Sequence, residues 1–165
     1  MYDPAEFALA GPGDFLRLDS RCADLLRDFF AWLQGHEGDG LPLEQANAAA
    51  HAADRYLRDF VVDVQETGPT DADPTLPRRY LANWYIVHTL EPTHDEMVRI
   101  RDALTRLYRF LAVRRLLSET AAEAAAACLA DAAYFRDRLE SFWDLTPEAI
   151  PAWRAVDDYR RRPNG

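Results

Sequence analysis

Few residues in this sequence combine the type and the spacing that metal chemistry requires. Glu91 and His94 form an E-x-x-H pair, the spacing by which di-iron helical bundles place two ligands on one helix face. Such a site needs two of these motifs, and the sequence contains only this one. Pro92 also stands between the two residues, where it favours a helix boundary. We therefore predict no metal site.

Nucleophilic catalysis is the second chemistry to consider, and the cysteines are its candidates. A reactive thiol needs a neighbouring histidine and an electropositive setting. Cys22 and Cys128 each fall on the apolar side of a helical pattern, where an inert buried thiol is expected. No glycine-rich phosphate loop precedes a predicted helix. The sequence therefore predicts a protein that is not an enzyme and that carries no cofactor.

A row of aromatic residues offers a possible ligand pocket. Tyr80, Trp84 and His88 are spaced four apart and so share one face of a helix. They have two interpretations: a pocket lining for a small ligand, or an ordinary core stripe, in which case His88 is a buried, neutral ring. We favour the core, because aromatic side chains dominate burial in proteins.

Arg78 and Arg79 form a possible anion site at the start of the same helix. Thr75 is expected to cap this helix and Pro77 to lie in its first turn. The positive end of the helix dipole disfavours cations there, so the two arginines need a compensating anion. One source is an external phosphate or carboxylate. The other is the preceding acidic linker, through Glu66, Asp71 and Asp73.

The residues just described lie in the stretch 76–90, LPRRYLANWYIVHTL, which organises the predicted fold. Its apolar side chains leave no wide polar face, and such a helix is usually buried on most sides. We place it at the centre of an all-α, single-domain bundle of five or six helices. The other predicted helices are 20–34, 42–64, 94–113, 120–144 and a short one after Thr146.

The remaining segments are predicted from turn formers and small residues. Residues 1–18 form an irregular N-terminal arm, and residues 160–165 form a frayed basic tail. Thr93 and Thr120 are each followed three residues later by glutamate, which predicts a capping box at two helix starts. Alanines mark the second helix at 46, 49 and 53 and the fifth at 125 and 132, so we expect these two faces to meet, either within the monomer or across a dimer.

Composition limits the classes of partner. The chain has no lysine, 19 arginines and 28 acidic residues, for a net charge of −9, which disfavours a general polyanion binder. Residues 75–117 are the exception, with 8 arginines and 4 acids. No segment reaches the length of about 18 apolar residues that suggests a membrane span. We expect a cytoplasmic protein whose partner is a protein, either itself or another.

The middle of the chain, residues 52–123, resembles a known family. ADRYLRDF, an acidic linker, RRYLANWYIVHTL and a helix ending in LTRLYRFLAVRRLL are similar to the N-terminal core-binding domain of tyrosine recombinases (phage integrases). The resemblance implies a SAM-like helical domain that clamps DNA opposite a separate catalytic domain. Recombinase catalysis needs a histidine three residues before an arginine. The residues three positions after the four histidines are Asp39, Asp54, Glu91 and Met97. None of them is an arginine, so we expect no recombinase active site.

Three functions follow as expectations, in order of preference. The first is a non-enzymatic interaction or regulatory module, because no catalytic constellation is present. The second is a DNA-binding helical domain related to recombinase core-binding domains. The third is a helical bundle that binds a small ligand.

Overall fold

A computed structural model describes residues 1–160, and its regular structure is entirely helical over that range. Two of its seven helices contain a π-helical stretch in the middle or at the end, and two short 3₁₀ turns precede the first helix. The helices are α1 (Phe15–Gln34), α2 (Leu43–Asp54, continued by π-helical Arg55–Val62), α3 (Leu76–Arg79, π-helical Tyr80–Trp84, Tyr85–His88), α4 (His94–Val113), α5 (Glu119–Leu129), α6 (Ala132–Trp143) and α7 (Ile150–Ala155). The predicted frayed tail lies outside the described residues beyond Arg160.

The N-terminal arm is more ordered than the sequence predicts. α1 begins at Phe15, and short 3₁₀ turns occupy Pro4–Phe7 and Pro12–Asp14, so the expectation of an irregular segment through residue 18 is wrong. Arg17 donates hydrogen bonds to the carbonyls of Glu6 and Ala8. Phe7 is buried, and Gly68 lies so close that an added Cβ would be 2.5 Å from the Phe7 carbonyl oxygen. The arm is therefore part of the packed body.

α3 is the central helix that the apolar pattern predicts. Every residue from Tyr80 to Ile86 is buried, including Asn83, so this part of the helix has no solvent face. Leu90, which the prediction placed on the helix, is 93% exposed because the helix ends at His88. Burial on all sides follows from the absence of a polar face in the sequence.

Two π-helical stretches lie against each other at the core. In α3 the Tyr85 amide donates to the carbonyl of Tyr80, five residues earlier, where an α-helix would use four. Just after α2, the Gln65 amide likewise donates to the carbonyl of Phe60, five residues earlier. The ring of Tyr80 lies 5.3 Å from that of Phe60 and 5.1 Å from that of Tyr56, centroid to centroid. Bulky aromatic rings therefore fill the contact between the two stretches.

α4 begins and ends where the sequence predicts. Thr93 Oγ1 accepts a hydrogen bond from the Glu96 amide, and Pro92 precedes that cap. The next predicted helix, 120–144, is two helices, because Asp131 caps a new start by accepting from the Tyr134 amide. Ser118, two residues before the predicted cap Thr120, caps the first of them by accepting from the Ala121 amide. The additional break raises the number of helices to seven over residues 1–160, against the five or six predicted.

The alanine faces pack against different neighbours. α2 packs on α1 and α4, whereas α5 packs on α4 and α3. Ala46 and Ala53 are fully buried on α2 and Ala125 is buried on α5, but Ala132 is exposed. The prediction that the two faces meet within the chain is therefore wrong. Each alanine stripe instead belongs to a helix that packs on α4 and on one further neighbour.

The segment that follows α6 is bound across the central helix by two buried polar side chains. Asn83 Nδ2 donates to the carbonyls of Arg154 and Val156, at 3.0 Å each. Arg138, 7% exposed, donates to the carbonyls of Ala82, Trp153 and Val156. Its guanidinium carbon also lies 3.7 Å from the centre of the Trp153 ring. These contacts anchor α7 to the core.

Candidate ligand-binding cleft

An open cleft of about 920 Å³ is lined by α2 and α4, which pack against each other elsewhere along their length. We call it the α2–α4 cleft. Its apolar lining comes mainly from small side chains of both walls, namely Ala48, Ala49, Ala52, Ile100 and Ala103. Charged residues of the two walls stand beside them, namely Arg55, Glu96, Arg99, Asp102 and Arg106. The volume is that of a small-molecule site.

The local sequence explains why a cleft forms here. Helix α2 reads ANAAAHAAD from Ala46, so its side towards α4 carries methyl groups where a core helix usually carries leucine or isoleucine. A wall of methyl groups leaves space that the facing side chains of α4 do not fill. Bulky apolar residues of this helix return only in the π-helical continuation after Asp54.

Tyr80 of the central helix contributes to the floor of the cleft. The residue is fully buried, and its hydroxyl has no hydrogen-bond partner within residues 1–160. Burial raises the pKa of this phenol well above its ordinary value, so it remains protonated and able to donate. A buried hydroxyl without a partner costs about 1–3 kcal/mol. A ligand group that pairs with it recovers that cost.

Arg55 lines the cleft from the α2 wall and is held in place by the end of the central helix. Its guanidinium donates to Thr89 Oγ1 at 3.1 Å and to the His88 carbonyl at 3.2 Å. It lies over the rings of Trp84 and Tyr85, at 5.3 and 5.7 Å. No carboxylate of residues 1–160 approaches it within 4.0 Å, so its charge is not neutralised by an ion pair.

The α4 wall carries charges of both signs. Glu96, Arg99 and Asp102 recur every three residues along one side of the helix. None of these three forms an ion pair with another described residue. Arg106 differs, since its Nε lies 2.6 Å from Asp39 Oδ2. The cleft therefore has an apolar lining and a charged rim in which only Arg106 forms an ion pair with a described residue.

The aromatic row predicted as a possible pocket is only partly at the cleft. The rings of Tyr80 and Trp84 stack at 5.5 Å, and those of Trp84 and His88 stack at 4.5 Å. Tyr80 lines the cleft, but Trp84 packs beneath Arg55 and His88 lies outside it. His88 is exposed, contrary to the buried ring expected of a core stripe, and its Nδ1 lies 2.8 Å from the Trp84 carbonyl oxygen.

Sequence reasoning missed the two walls of the cleft. The available signal was the alanine-rich run of α2, which we read as a close helix crossing. Alanine on a helix face permits either a tight contact or an open space, and the choice depends on how neighbouring helices are held apart. Arg55 and Arg99 gave no signal of their own, because arginine is common on exposed helix faces.

Arg78 and Arg79 lie together beside a second, smaller cleft of about 480 Å³. Arg79 binds Asp73 of the linker at 2.7 Å and also donates to Gln65 Oε1 at 2.9 Å. Arg78 binds Asp157, a residue 79 positions away, at 2.9 Å. Each arginine thus has an internal carboxylate. Only one comes from the linker.

The predicted cap at the start of the central helix differs from the structure. The Thr75 side chain makes no capping hydrogen bond and instead donates to Asp73 Oδ1 at 2.7 Å. Asp73 also accepts from the Thr75 amide at 2.9 Å, and these bonds lower the pKa of its carboxyl against the opposing effect of burial. The linker therefore forms a local turn around Asp73 that positions Arg79.

The remaining chemical candidates stay apart. Cys22 is buried, and burial raises the pKa of its thiol to about 12. Cys128 is half-buried on α5. His94 lies 3.6 Å from Glu140 rather than pairing with Glu91. Over residues 1–160, no group of three or more histidine, cysteine, aspartate or glutamate side chains is placed to hold a metal ion.

Comparisons with protein-family models, curated proteins and solved structures found no match to this chain. Within the described range, none of the helices has the length and apolar character needed to cross a lipid bilayer.

Proposed function

We propose that this chain is a non-enzymatic binding module of interaction or regulatory type, and that the α2–α4 cleft is where it takes a small ligand. One observation carries the proposal. A cleft of ligand size is lined in part by Tyr80, whose fully buried hydroxyl has no partner within the described chain. Small-molecule sites combine an apolar lining with a few convergent polar groups, and this cleft has both.

The location of Tyr80 favours a binding role for the cleft over a packing defect. Tyr80 belongs to a π-helical turn of the central helix, and π turns occur frequently at functional sites. Through its stacking on Trp84, the same residue is connected to Arg55, the cation of the α2 wall. A ligand that contacts Tyr80 therefore touches the central helix on which the other helices pack.

A fragment screen with a blocked-cleft variant tests the proposal. Ala48 lines the cleft and is exposed, so Ala48→Phe places a bulky ring in the cleft without disturbing the core. Ala127→Phe is the matched control, because Ala127 is an exposed helical alanine on α5 outside the cleft. Ligand-observed NMR with a panel of small aromatic and aliphatic fragments is the measurement. We expect fragments that compete for one site and lose binding in Ala48→Phe but not in Ala127→Phe.

Two results contradict the proposal. Either no fragment binds the wild-type protein, or the bound fragments persist in Ala48→Phe. Thermal unfolding of both variants provides the check on folding, since two surface substitutions of this kind are expected to change stability by less than about 0.5 kcal/mol.

DNA binding by a recombinase-like domain is the rival function, and the charge distribution gives it less support. Of the 8 arginines in residues 75–117, five lie within 4.0 Å of a carboxylate: Arg78, Arg79, Arg106, Arg109 and Arg114. Little positive charge is left to release counterions from phosphate. A salt series decides between the functions, because DNA binding weakens steeply with salt. An Arg78→Ala, Arg79→Ala double variant must flatten that slope if this pair contacts the phosphates.

A further inference from the structure

A cation of one wall of the α2–α4 cleft and an anion of the other both act on Tyr80. Arg55 belongs to the α2 wall and Glu96 to the α4 wall, and both line the cleft. Tyr80 lies within the electrostatic influence of both, since each charge affects the ionisation of its hydroxyl. Yet Arg55 and Glu96 do not come within 4.0 Å of each other. A cation and an anion thus face the same space without meeting.

Both groups keep bonding capacity towards the cleft. A guanidinium has five N–H donors, and Arg55 uses one on Thr89 Oγ1 and one on the His88 carbonyl. Its position is fixed by those bonds and by the rings beneath it, so little side-chain entropy remains to be lost on binding. Glu96 forms no ion pair, and although its carboxylate interacts with the Tyr85 hydroxyl, an ionised carboxylate accepts hydrogen bonds at both oxygens and so retains capacity for a ligand.

We infer that the ligand of this cleft is a zwitterionic amino acid with a large apolar side chain. Its carboxylate binds Arg55 and its ammonium binds Glu96, with the Tyr80 hydroxyl donating to the carboxylate. The inference rests on the proposed function of the cleft. A zwitterion satisfies both walls at once, whereas a ligand with a single charge leaves one wall unpaired.

The apolar part of the cleft accounts for the side chain. Ala48 and Ala52 on one wall face Ile100 and Ala103 on the other, and they carry no polar side-chain atoms. The volume of about 920 Å³ holds a group as large as indole. Burying such a ring contributes far more than burying a small side chain, because the gain scales with the apolar area removed from water.

Other charges at the rim do not duplicate this arrangement. Arg106 is held by Asp39. Arg99 and Asp102 have no ion-pair partner, but they lie three residues apart on the same wall. A ligand head group that binds both would lie along α4, leaving Arg55 and Tyr80 unused. Arg55 and Glu96 lie on opposite walls, and both charges act on the Tyr80 hydroxyl, whereas Asp102 is not among the groups that do.

Three related compounds test the inference by isothermal titration calorimetry. L-tryptophan carries both charged groups, tryptamine lacks the carboxylate, and 3-indolepropionate lacks the ammonium. We expect L-tryptophan to bind tightest, with each of the other two weaker by about tenfold or more, because each loses a charge-assisted hydrogen bond.

Two variants connect each charge of the ligand to one wall. Glu96→Gln is expected to weaken L-tryptophan and tryptamine about tenfold and to leave 3-indolepropionate unchanged. Arg55→Gln is expected to weaken L-tryptophan and 3-indolepropionate and to spare tryptamine. Asp95→Asn is the matched control, since Asp95 is an exposed acid of the same helical turn outside the cleft. It must leave all three affinities unchanged.

The outcomes separate this inference from the proposed function. If 3-indolepropionate or tryptamine binds as tightly as L-tryptophan, or if none of the three binds while fragments occupy the cleft, the inference is overturned and the cleft remains a binding site. If Glu96→Gln and Asp95→Asn weaken binding equally, the assignment to Glu96 is also overturned. If neither the three compounds nor any fragment occupies the cleft, both fail.

Discussion

Replacing Arg138 with methionine is expected to loosen the attachment of the C-terminal segment and to destabilise the whole protein. Arg138 is 7% exposed, has no carboxylate within 4.0 Å, and donates to three carbonyl oxygens at 3.0, 3.1 and 3.3 Å. Methionine retains most of the side-chain length and apolar stem, so the change removes mainly the charge and the donors.

The expected magnitude follows from two opposing contributions. Hydrogen bonds made by a charged donor are worth about 1.5–3 kcal/mol each, and the contact with the Trp153 ring adds up to about 2 kcal/mol. Against this, the desolvation of a buried guanidinium costs several kcal/mol, which methionine avoids. One carbonyl, that of Val156, still accepts from Asn83 in the variant. We expect a net loss of about 2–4 kcal/mol in the free energy of unfolding.

Urea unfolding followed by circular dichroism measures this loss, with Arg136→Met as the matched control. Arg136 is an exposed arginine of the same helix, so its replacement is expected to change stability by less than about 0.5 kcal/mol. Amide hydrogen exchange at Trp153 and Val156 provides the local readout and should become faster only in Arg138→Met. Equal stability of the two variants would refute the reasoning.

Three further predictions concern the core, pH and thiol reactivity. Trp84→Ala is expected to cost about 3–5 kcal/mol in thermal unfolding, whereas Trp143→Ala, at a site 60% exposed, should cost far less. The pKa of Asp28 is held below its ordinary value of 3.8 by its hydrogen bond to a guanidinium, so its stabilisation is present above that pH and is lost as the pH falls through the lowered pKa. The free energy of unfolding of Asp28→Asn should therefore fall less steeply with decreasing pH in this range than that of the wild-type protein, as measured by acid unfolding. Iodoacetamide at pH 8 is expected to label Cys128 but not Cys22 in the native protein, with equal labelling in urea as the control.

The parts of the fold that the sequence predicted are those with local signals. Pro92 and Thr93 mark the start of α4 within two residues, so its boundary was predictable from the chain itself. The burial of the central helix was predictable because its apolar residues surround the axis. The break before Ala132 was not, since an alanine-rich run continues the helical pattern through the residue that caps the new helix.

Ion pairs between residues far apart in the sequence explain why the charged partners at the two clefts could not be predicted. Arg106 binds Asp39, 67 positions away, in preference to the acid one helical turn before it. Arg78 binds Asp157 from the end of the chain. Neither pairing can be predicted from local sequence, because a surface arginine usually has several acidic residues nearby and exposed ion pairs are individually weak. The α2–α4 cleft depends likewise on the separation of two helices and not on a motif.

The π-helical turn between Tyr80 and Trp84 makes chain length, and not only residue type, critical in the central helix. A π turn contains one residue more than the α-helical turn it replaces. Deleting one residue there would restore α-helical bonding and rotate the rest of the helix by about 100° about its axis. Tyr85 and His88 would then each face different neighbouring residues. Arg55 would lose its hydrogen bond to the His88 carbonyl. Natural sequence variation in this helix should therefore consist of substitutions at constant length, while gaps gather in the loop between α1 and α2.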